Sequence, residues 1–383
     1  MKKFIGLIAP ALALELTLAA CGGSAAPASS APAPASAAAK PSTAASASAK
    51  PAAESASAKP AASASAAASA IATIPSGTKV KIVTATGVTS VVFSSVWIAM
   101  DNGLFAKYGL DATLQPNLEG TKQSQAMIAG DVQVGNVGGA EVLNGRAAGT
   151  DLEAIMETTA SPLFELHAPP AVKSVEELKG KLIAVTASGS STDIAGRLLV
   201  SKHGLDPNKD VKFVNTSNMQ GILAAMVANQ VQAGVVSPPT TSKATASGFP
   251  KLAGAIDEHV PLQNNLVVVS KKYADAHPEV VFAYLQALLE ANKVFQSQPD
   301  VAVKAIAKYT DSSQADSQAA YDTMKEAMDQ VGLVREDGLK SVQQYGGNPK
   351  AADVKLSDAY DNSFLNRLKA SGFIDGLGLK PLA

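Results

Sequence analysis

The groups in this sequence best suited to chemistry are uncharged. Ser188-Gly189-Ser190-Ser191-Thr192 places hydroxyls and backbone N–H groups just ahead of a helical run, where a helix N-terminus attracts negative charge. Thr86, Gly87 and Ser90 form a similar set after the first strand-like run. Asn136, Gly138 and Gly139 form another, with glycines that admit close backbone approach. Ser237-Pro238-Pro239-Thr240 adds a stiff turn, because Pro238 and Pro239 restrict the backbone. Asn264 adds an amide beside a proline-flanked stretch. Each set also reads as an ordinary turn or helix cap, since every helix needs its first N–H groups satisfied. As ligand groups they would hold a small polar or anionic solute by dipoles alone.

Bond-making chemistry has little support. His167, His203, His259 and His277 are far apart and show no zinc-binding spacing. There is no Gly-x-Ser-x-Gly elbow and no Walker loop, and Gly135-Asn136-Val137-Gly138-Gly139 departs from the dinucleotide fingerprint. The only arginines are Arg146, Arg197, Arg335 and Arg367, and Arg197 follows Asp193 by four residues, the spacing of an ion pair along one helix. Trp97 lies in an apolar run at helical spacing, which points to core packing. No metal and no cofactor is expected.

The elements that must position these loops alternate. Strand patterns over 79–85, 111–115, 132–137 and 152–157 are interleaved with helical patterns over 91–102, 121–129 and 140–148. A second series has strands at 181–186, 211–215, 232–236 and 251–256 between helices at 192–203, 221–228 and 240–247. Extended, proline-flanked pieces at 163–167 and 265–270 separate the series, and helices follow from Pro278 onward. The alternation predicts parallel sheets with crossover helices, hence an α/β chain of two lobes: 73–165, an inserted lobe 166–264, and a return with helices over 265–383. Open α/β sheets bind ligands at the carboxyl ends of their strands, so facing lobes put a site in the cleft between them.

Of the 383 residues 46% are hydrophobic, 17% charged and 5% aromatic, with 32 basic against 33 acidic side chains. A net charge of −1 leaves no basic excess for a nucleic-acid backbone, and one cysteine excludes a disulfide within the chain. Lys2 and Lys3 precede the apolar run 4–14, the pattern of an export leader over 1–20. Leu18-Ala19-Ala20-Cys21 resembles the lipobox of bacterial lipoproteins, which implies lipidation of Cys21 and tethering to a bacterial membrane outside the cytoplasm. The Ala/Ser/Pro/Lys tract that completes 21–72 has too few large side chains to offset the entropy of ordering, and reads as a spacer.

Several stretches resemble, in order, the solute-binding proteins of ABC importers of the nitrate/sulfonate/taurine group, whose relatives include receptors for thiamine-pyrimidine precursors. They are Trp97-Ile98-Ala99-Met100-Asp101-Asn102-Gly103-Leu104-Phe105, Tyr108-Gly109-Leu110-Asp111, Ala129-Gly130-Asp131, Val175-Glu176-Glu177-Leu178-Lys179-Gly180, Ser237-Pro238-Pro239 and His277-Pro278-Glu279. The resemblance implies the type II periplasmic-binding-protein fold, a small solute of sulfonate, nitrate or taurine type, and ABC permease and ATPase partners. It implies hinge closure near 161–170 and 260–266, a monomer, and no catalysis in this chain. Fungal thiamine-pyrimidine synthases share the fold but carry a cysteine-rich motif, and this sequence has no cysteine beyond Cys21.

Overall fold

The computed structural model describes residues 71–380 except Val88 and Ala160. The leader at 1–20, Cys21 and the spacer up to residue 70 lie outside the described residues. The first run is β1 (Val80–Thr86), α1 (Ser94–Asp101), α2 (Leu104–Lys107), β2 (Leu110–Gln115), α3 (Gly120–Ala129), β3 (Val134–Val137), α4 (Gly139–Ala147) and β4 (Leu152–Glu157). The second is β5 (Glu165–His167), β6 (Leu182–Val185), α5 (Ser191–Lys202), β7 (Lys212–Asn215), α6 (Met219–Val227), β8 (Ala233–Val236), α7 (Thr240–Ala246) and β9 (Lys251–Gly254). The chain closes with β10 (Leu266–Ser270), α8 (Lys271–Ala276), α9 (Pro278–Ser297), α10 (Pro299–Thr310), α11 (Gln314–Ala327), α12 (Glu336–Tyr345), α13 (Ser363–Ala370) and α14 (Phe373–Leu377).

Two five-stranded sheets result, ordered β2-β1-β3-β10-β4 and β7-β6-β8-β5-β9. Neither is purely parallel, which corrects the expectation from the alternating pattern. β10 runs antiparallel to β3 and β4, and β5 runs antiparallel to β8 and β9. The reason is topological. The chain leaves the first sheet at the carboxyl end of β4 and enters the second at the carboxyl edge, so β5 must run backwards. It returns from the carboxyl end of β9, and β10 runs backwards for the same reason. The crossings therefore span 158–164 and 255–265, and residues 165–167, expected as part of a hinge, are a strand of the second sheet. Both crossings join the carboxyl edges of the two sheets.

Burial follows the pattern of the sequence. All six residues of β4 are buried, as are Leu266–Val269 of β10, a valine-rich interior strand. Pro278 and Pro299 open α9 and α10 at the position where a missing N–H costs nothing. One apolar cluster packs Ile82, Val134 and Ile155 of the first sheet with Ile98, Phe282, Leu288 and Phe295. Trp97 belongs to it, stacked on Tyr309 of α10 at 5.1 Å between ring centroids, which is the core role its spacing predicts. A second cluster includes Val137 and Leu266 of the first sheet, Ile183 and Val235 of the second, and Leu339 and Val342 of α12. Each such side chain contributes about 1.5–3 kcal/mol, and here they tie α12 to both lobes.

Candidate functional site

The loops after β1 and β3 sit side by side on the first sheet, because Thr86 pairs in register with Asn136. Gln123 of α3, wholly buried, fixes both. Its Nε2 donates to the carbonyls of Leu118 (2.8 Å) and Asn136 (3.2 Å), and its Oε1 accepts the Asn136 N–H (3.0 Å). Leu118 in turn donates its N–H to the Thr86 carbonyl at 3.0 Å. The Asn136 side chain donates to the Ala85 carbonyl at 2.9 Å, while its Oδ1 is buried with no hydrogen-bond partner among the described residues. A Cβ on Gly87 would lie 3.8 Å from Gln123 Nε2, so Gly87 joins this group. Ser90 sits ahead of the short turn at 91–93, and its hydroxyl makes no cap bond. Sequence reasoning missed Gln123. Its one signal was a polar residue on the buried stripe it shares with Met127.

Gly138 and Gly139 open α4, and here the expectation of N–H groups available to an anion fails. Gly139 donates its N–H to the Gln263 carbonyl at 3.2 Å. The Glu141 carboxylate folds back and accepts the N–H of Gly138 and its own. A Cβ on Gly138 would lie 2.9 Å from Glu141 Oε2, 3.3 Å from the Asn264 carbonyl oxygen and 3.3 Å from Ser191 Oγ. Three chain segments thus meet at one point: the first lobe, the second lobe and the crossing between them. Glu141 is a second residue that sequence reasoning missed. Burial pushes its pKa up, against the pull of the two N–H groups, and Glu119 pushes the same way as burial. It belongs to no ion pair among the described residues.

In the second lobe Ser190 caps α5, its Oγ accepting the Asp193 N–H (3.4 Å) and donating to the Ala187 carbonyl (2.7 Å). The hydroxyls of Thr186 and Thr192 each lie 2.9 Å from it. Asp193 also folds back, accepting the Gly189 N–H at 2.8 Å, and pairs with Arg197 Nε at 2.9 Å as the four-residue spacing predicts. Gly189 has φ +74°, and a Cβ there would lie 2.5 Å from the Gly346 carbonyl at the end of α12. α12 also backs the first-lobe loop, with Val342 3.1 Å from the Cβ position of Gly139. Ser188 is exposed and Ser191 partly buried. Pro238, buried, and Pro239, partly buried, end β8, one strand over from that loop since β8 pairs with β6.

The structure therefore gathers Gly138, Ser191 and Asn264 at one point and Thr86, Gly87 and Asn136 around Gln123, with Ser90, Ser188 and the two prolines on the same carboxyl edges. Two surface hollows lie elsewhere, one of about 370 Å³ beside Arg146 and Lys350 and one of about 390 Å³ beside Thr73 and Glu279. Neither is lined by these loops. Among the described residues no group of three or more His, Cys, Asp or Glu could hold a metal, and no helix is long and apolar enough to cross a membrane.

Residues 90–302 match the family model described as NMT1/THI5 like. The chain belongs to that family. The chain is similar to the taurine-binding periplasmic protein of Escherichia coli K12, 28% identical over 185 residues, which cover 47% of this chain. The chain spans less than two thirds of the length of the curated relatives it matches, 56% in that case. Among solved structures, the alkanesulfonate-binding protein SsuA of Xanthomonas axonopodis pv. citri, bound to MOPS, superposes with a TM-score of 0.59 at 21% identity, covering 74% of this chain and 94% of that one. The desulfurization enzyme DSZB superposes with a TM-score of 0.56 at 16% identity, covering 76% and 99%. The NMT1/THI5-like chain thus has the two-lobed periplasmic-binding-protein fold, one that serves binding proteins and at least one enzyme.

Proposed function

We propose that this protein is the solute-binding lipoprotein of an ABC importer, anchored outside the cytoplasm through Cys21. The supporting observation is that carboxyl-edge loops of both lobes, and the crossing between them, converge at Gly138, Ser191 and Asn264. A solute held there touches both lobes at once, and only the closed arrangement offers both sets of contacts, so binding favours closure. The closed surface is what the permease recognises, a partner ATPase supplies the energy, and this chain performs no catalysis. The taurine- and alkanesulfonate-binding relatives support a small acid of that kind as the solute, its acid group facing Ser188 and the first N–H groups of α5, with Thr86, Asn136, Pro238 and Pro239 lining the remaining walls.

The test is thermal unfolding of the full chain against taurine, alkanesulfonates, nitrate, aromatic carboxylates and pyrimidines. A solute at 100 times its Kd adds about 2.7 kcal/mol, a shift of a few degrees. A shift with a sulfonate or taurine is the expected result. A shift only with a pyrimidine moves the protein to vitamin-precursor uptake, and no shift with any compound overturns the receptor reading.

A further inference from the structure

We propose that Gln123, together with Thr84 and Asn136, is a positioning device for the first-lobe wall of the cleft and not a requirement of the fold. This rests on the reading of the interlobe cleft as the solute site. The two lobes carry an internal repeat. Met127, Val132, Gln133, Gly135 and Val137 recur at one constant spacing as Met226, Val231, Gln232, Gly234 and Val236. The same spacing carries the strand order β2-β1-β3 onto β7-β6-β8, and the start of α3 onto the start of α6. One brace recurs with it. Gln133 Oε1 accepts the Val83 N–H at 2.8 Å, and Gln232 Oε1 accepts the Leu182 N–H at 3.2 Å.

At three equivalent interior positions the lobes differ in kind. Thr84, Gln123 and Asn136 of the first lobe stand where the second has Ile183, Ile222 and Val235, and all six are buried. Aliphatic side chains fill this place in the second copy without loss of its architecture. Burying a hydroxyl and two amides there is therefore a cost the fold does not demand. Those groups tie down backbone at the cleft edge. The Gln123 amide holds both the N–H and the carbonyl of Asn136, and the Asn136 amide donates to the Ala85 carbonyl. The Thr84 hydroxyl lies 2.7 Å from that of Tyr284 in α9. Hydrogen bonds fix direction in a way that apolar contact does not. Accordingly the β1–β3 ladder reaches Thr86 and Asn136, one pair further than the β6–β8 ladder, which stops at Ala184 and Gly234. Gln123 thus acts on the solute through the backbone that leads into Gly138 and Gly139.

The experiment is isothermal titration of the full chain with taurine, ethanesulfonate and nitrate, beside thermal unfolding, for the wild type and three variants. Gln123→Ile leaves the Asn136 backbone without its amide partner. It should lower the thermal midpoint and weaken binding about ten-fold, the scale of one lost hydrogen bond. Gln123→Ile combined with Asn136→Val installs the second lobe's residues. Its midpoint should return towards that of the wild type, because both partners become apolar together, while binding stays weak. Ile222→Ala opens a cavity at the equivalent place in the second lobe, and should lower the midpoint and spare the affinity. Amide exchange over 136–139 should be faster in Gln123→Ile than in Ile222→Ala. If Gln123→Ile alone does not fold, the other two variants decide. Affinity that recovers with the midpoint in the double variant, a double variant that does not fold, or an equal loss of affinity in Ile222→Ala makes the node purely structural. Each overturns the positioning role and keeps the receptor reading. A wild type that binds none of the three solutes overturns both.

Discussion

The loop that opens α4 and the loop that opens α5 use the same backbone device and reach opposite electrical states. In each an acidic side chain turns back onto a loop N–H, Glu141 onto Gly138 and Asp193 onto Gly189. Asp193 has Arg197 Nε at 2.9 Å, with the guanidinium stacked over Phe213 and bonded to Asn208. Glu141 has no cation beside it among the described residues, and Glu119 adds repulsion. A helix N-terminus alone therefore does not say which charge a site accepts. The side chain that occupies it, and whether that side chain is neutralised, decides.

The most severe way to break the contrast is to remove the second-lobe cation. Arg197→Met leaves Asp193, whose side chain is 1% exposed, as an uncompensated buried charge. Breaking a buried pair from one side costs about 3–5 kcal/mol, and because Arg197 is 18% exposed the lower part of that range is expected. The measurement is denaturant unfolding of the variant beside the wild type. An unchanged midpoint would mean that the ion pair does not set the state of this loop, and the contrast with Glu141 would collapse.

A third carboxyl sharpens the comparison, because it has a cation and is nonetheless perturbed. Glu157, at the end of β4, pairs with Arg335 at 2.8 Å and accepts a hydrogen bond from Gln263, yet complete burial raises its pKa from 4.5 to about 7. A raised folded-state pKa contributes stability that is full below pH about 4.5 and is lost as pH rises through about 7. Stability should therefore fall on going from pH 5 to pH 8, by on the order of 2 kcal/mol from this group. The slope should be shallower in Glu157→Gln, what remains belonging to Glu153, which burial also raises to about 7, and to His203, whose pKa is raised chiefly by its bond to Glu258. A slope as steep as the wild type's would assign the whole of it to those two groups.

What the sequence discloses and what it hides follow from the range of the interactions. Strand and helix positions were legible because burial is periodic: the valines of β10, the prolines at 278 and 299, and Ser190 ahead of α5 are all local signals. So was the Asp193–Arg197 pair, which needs only one turn of helix. Strand direction was not legible, since an alternating pattern is the same read forwards or backwards, and the pieces at 163–167 and 265–270, expected as extended crossings, instead contribute β5 and β10 as antiparallel members of the two sheets. Gln123 and Glu141 were missed because each is one polar residue in an amphipathic helix. Glu141 gains its meaning from Ser191 and Asn264, fifty and more than a hundred residues away. The loop at 136–139 was read as open to an anion because no pattern shows that the chain's own carboxylate fills it.

The smallest expected effects separate two serines that look alike in sequence. Ser190 is the cap of α5, and its hydroxyl also meets Thr186 and Thr192, so Ser190→Ala should cost about 1 kcal/mol in stability. Any loss of affinity in that variant is confounded by a loosened loop. Ser188 is exposed, and Ser188→Ala should leave stability within about 0.5 kcal/mol of wild type. A drop in sulfonate or taurine affinity at constant thermal midpoint in Ser188→Ala would then report a direct contact with the acid end of the solute. If Ser188→Ala binds as well as wild type, the acid group is held by the N–H groups of α5 alone. That outcome would make the two loops differ in charge only, with the donors of one and the acceptors of the other both supplied by a helix start.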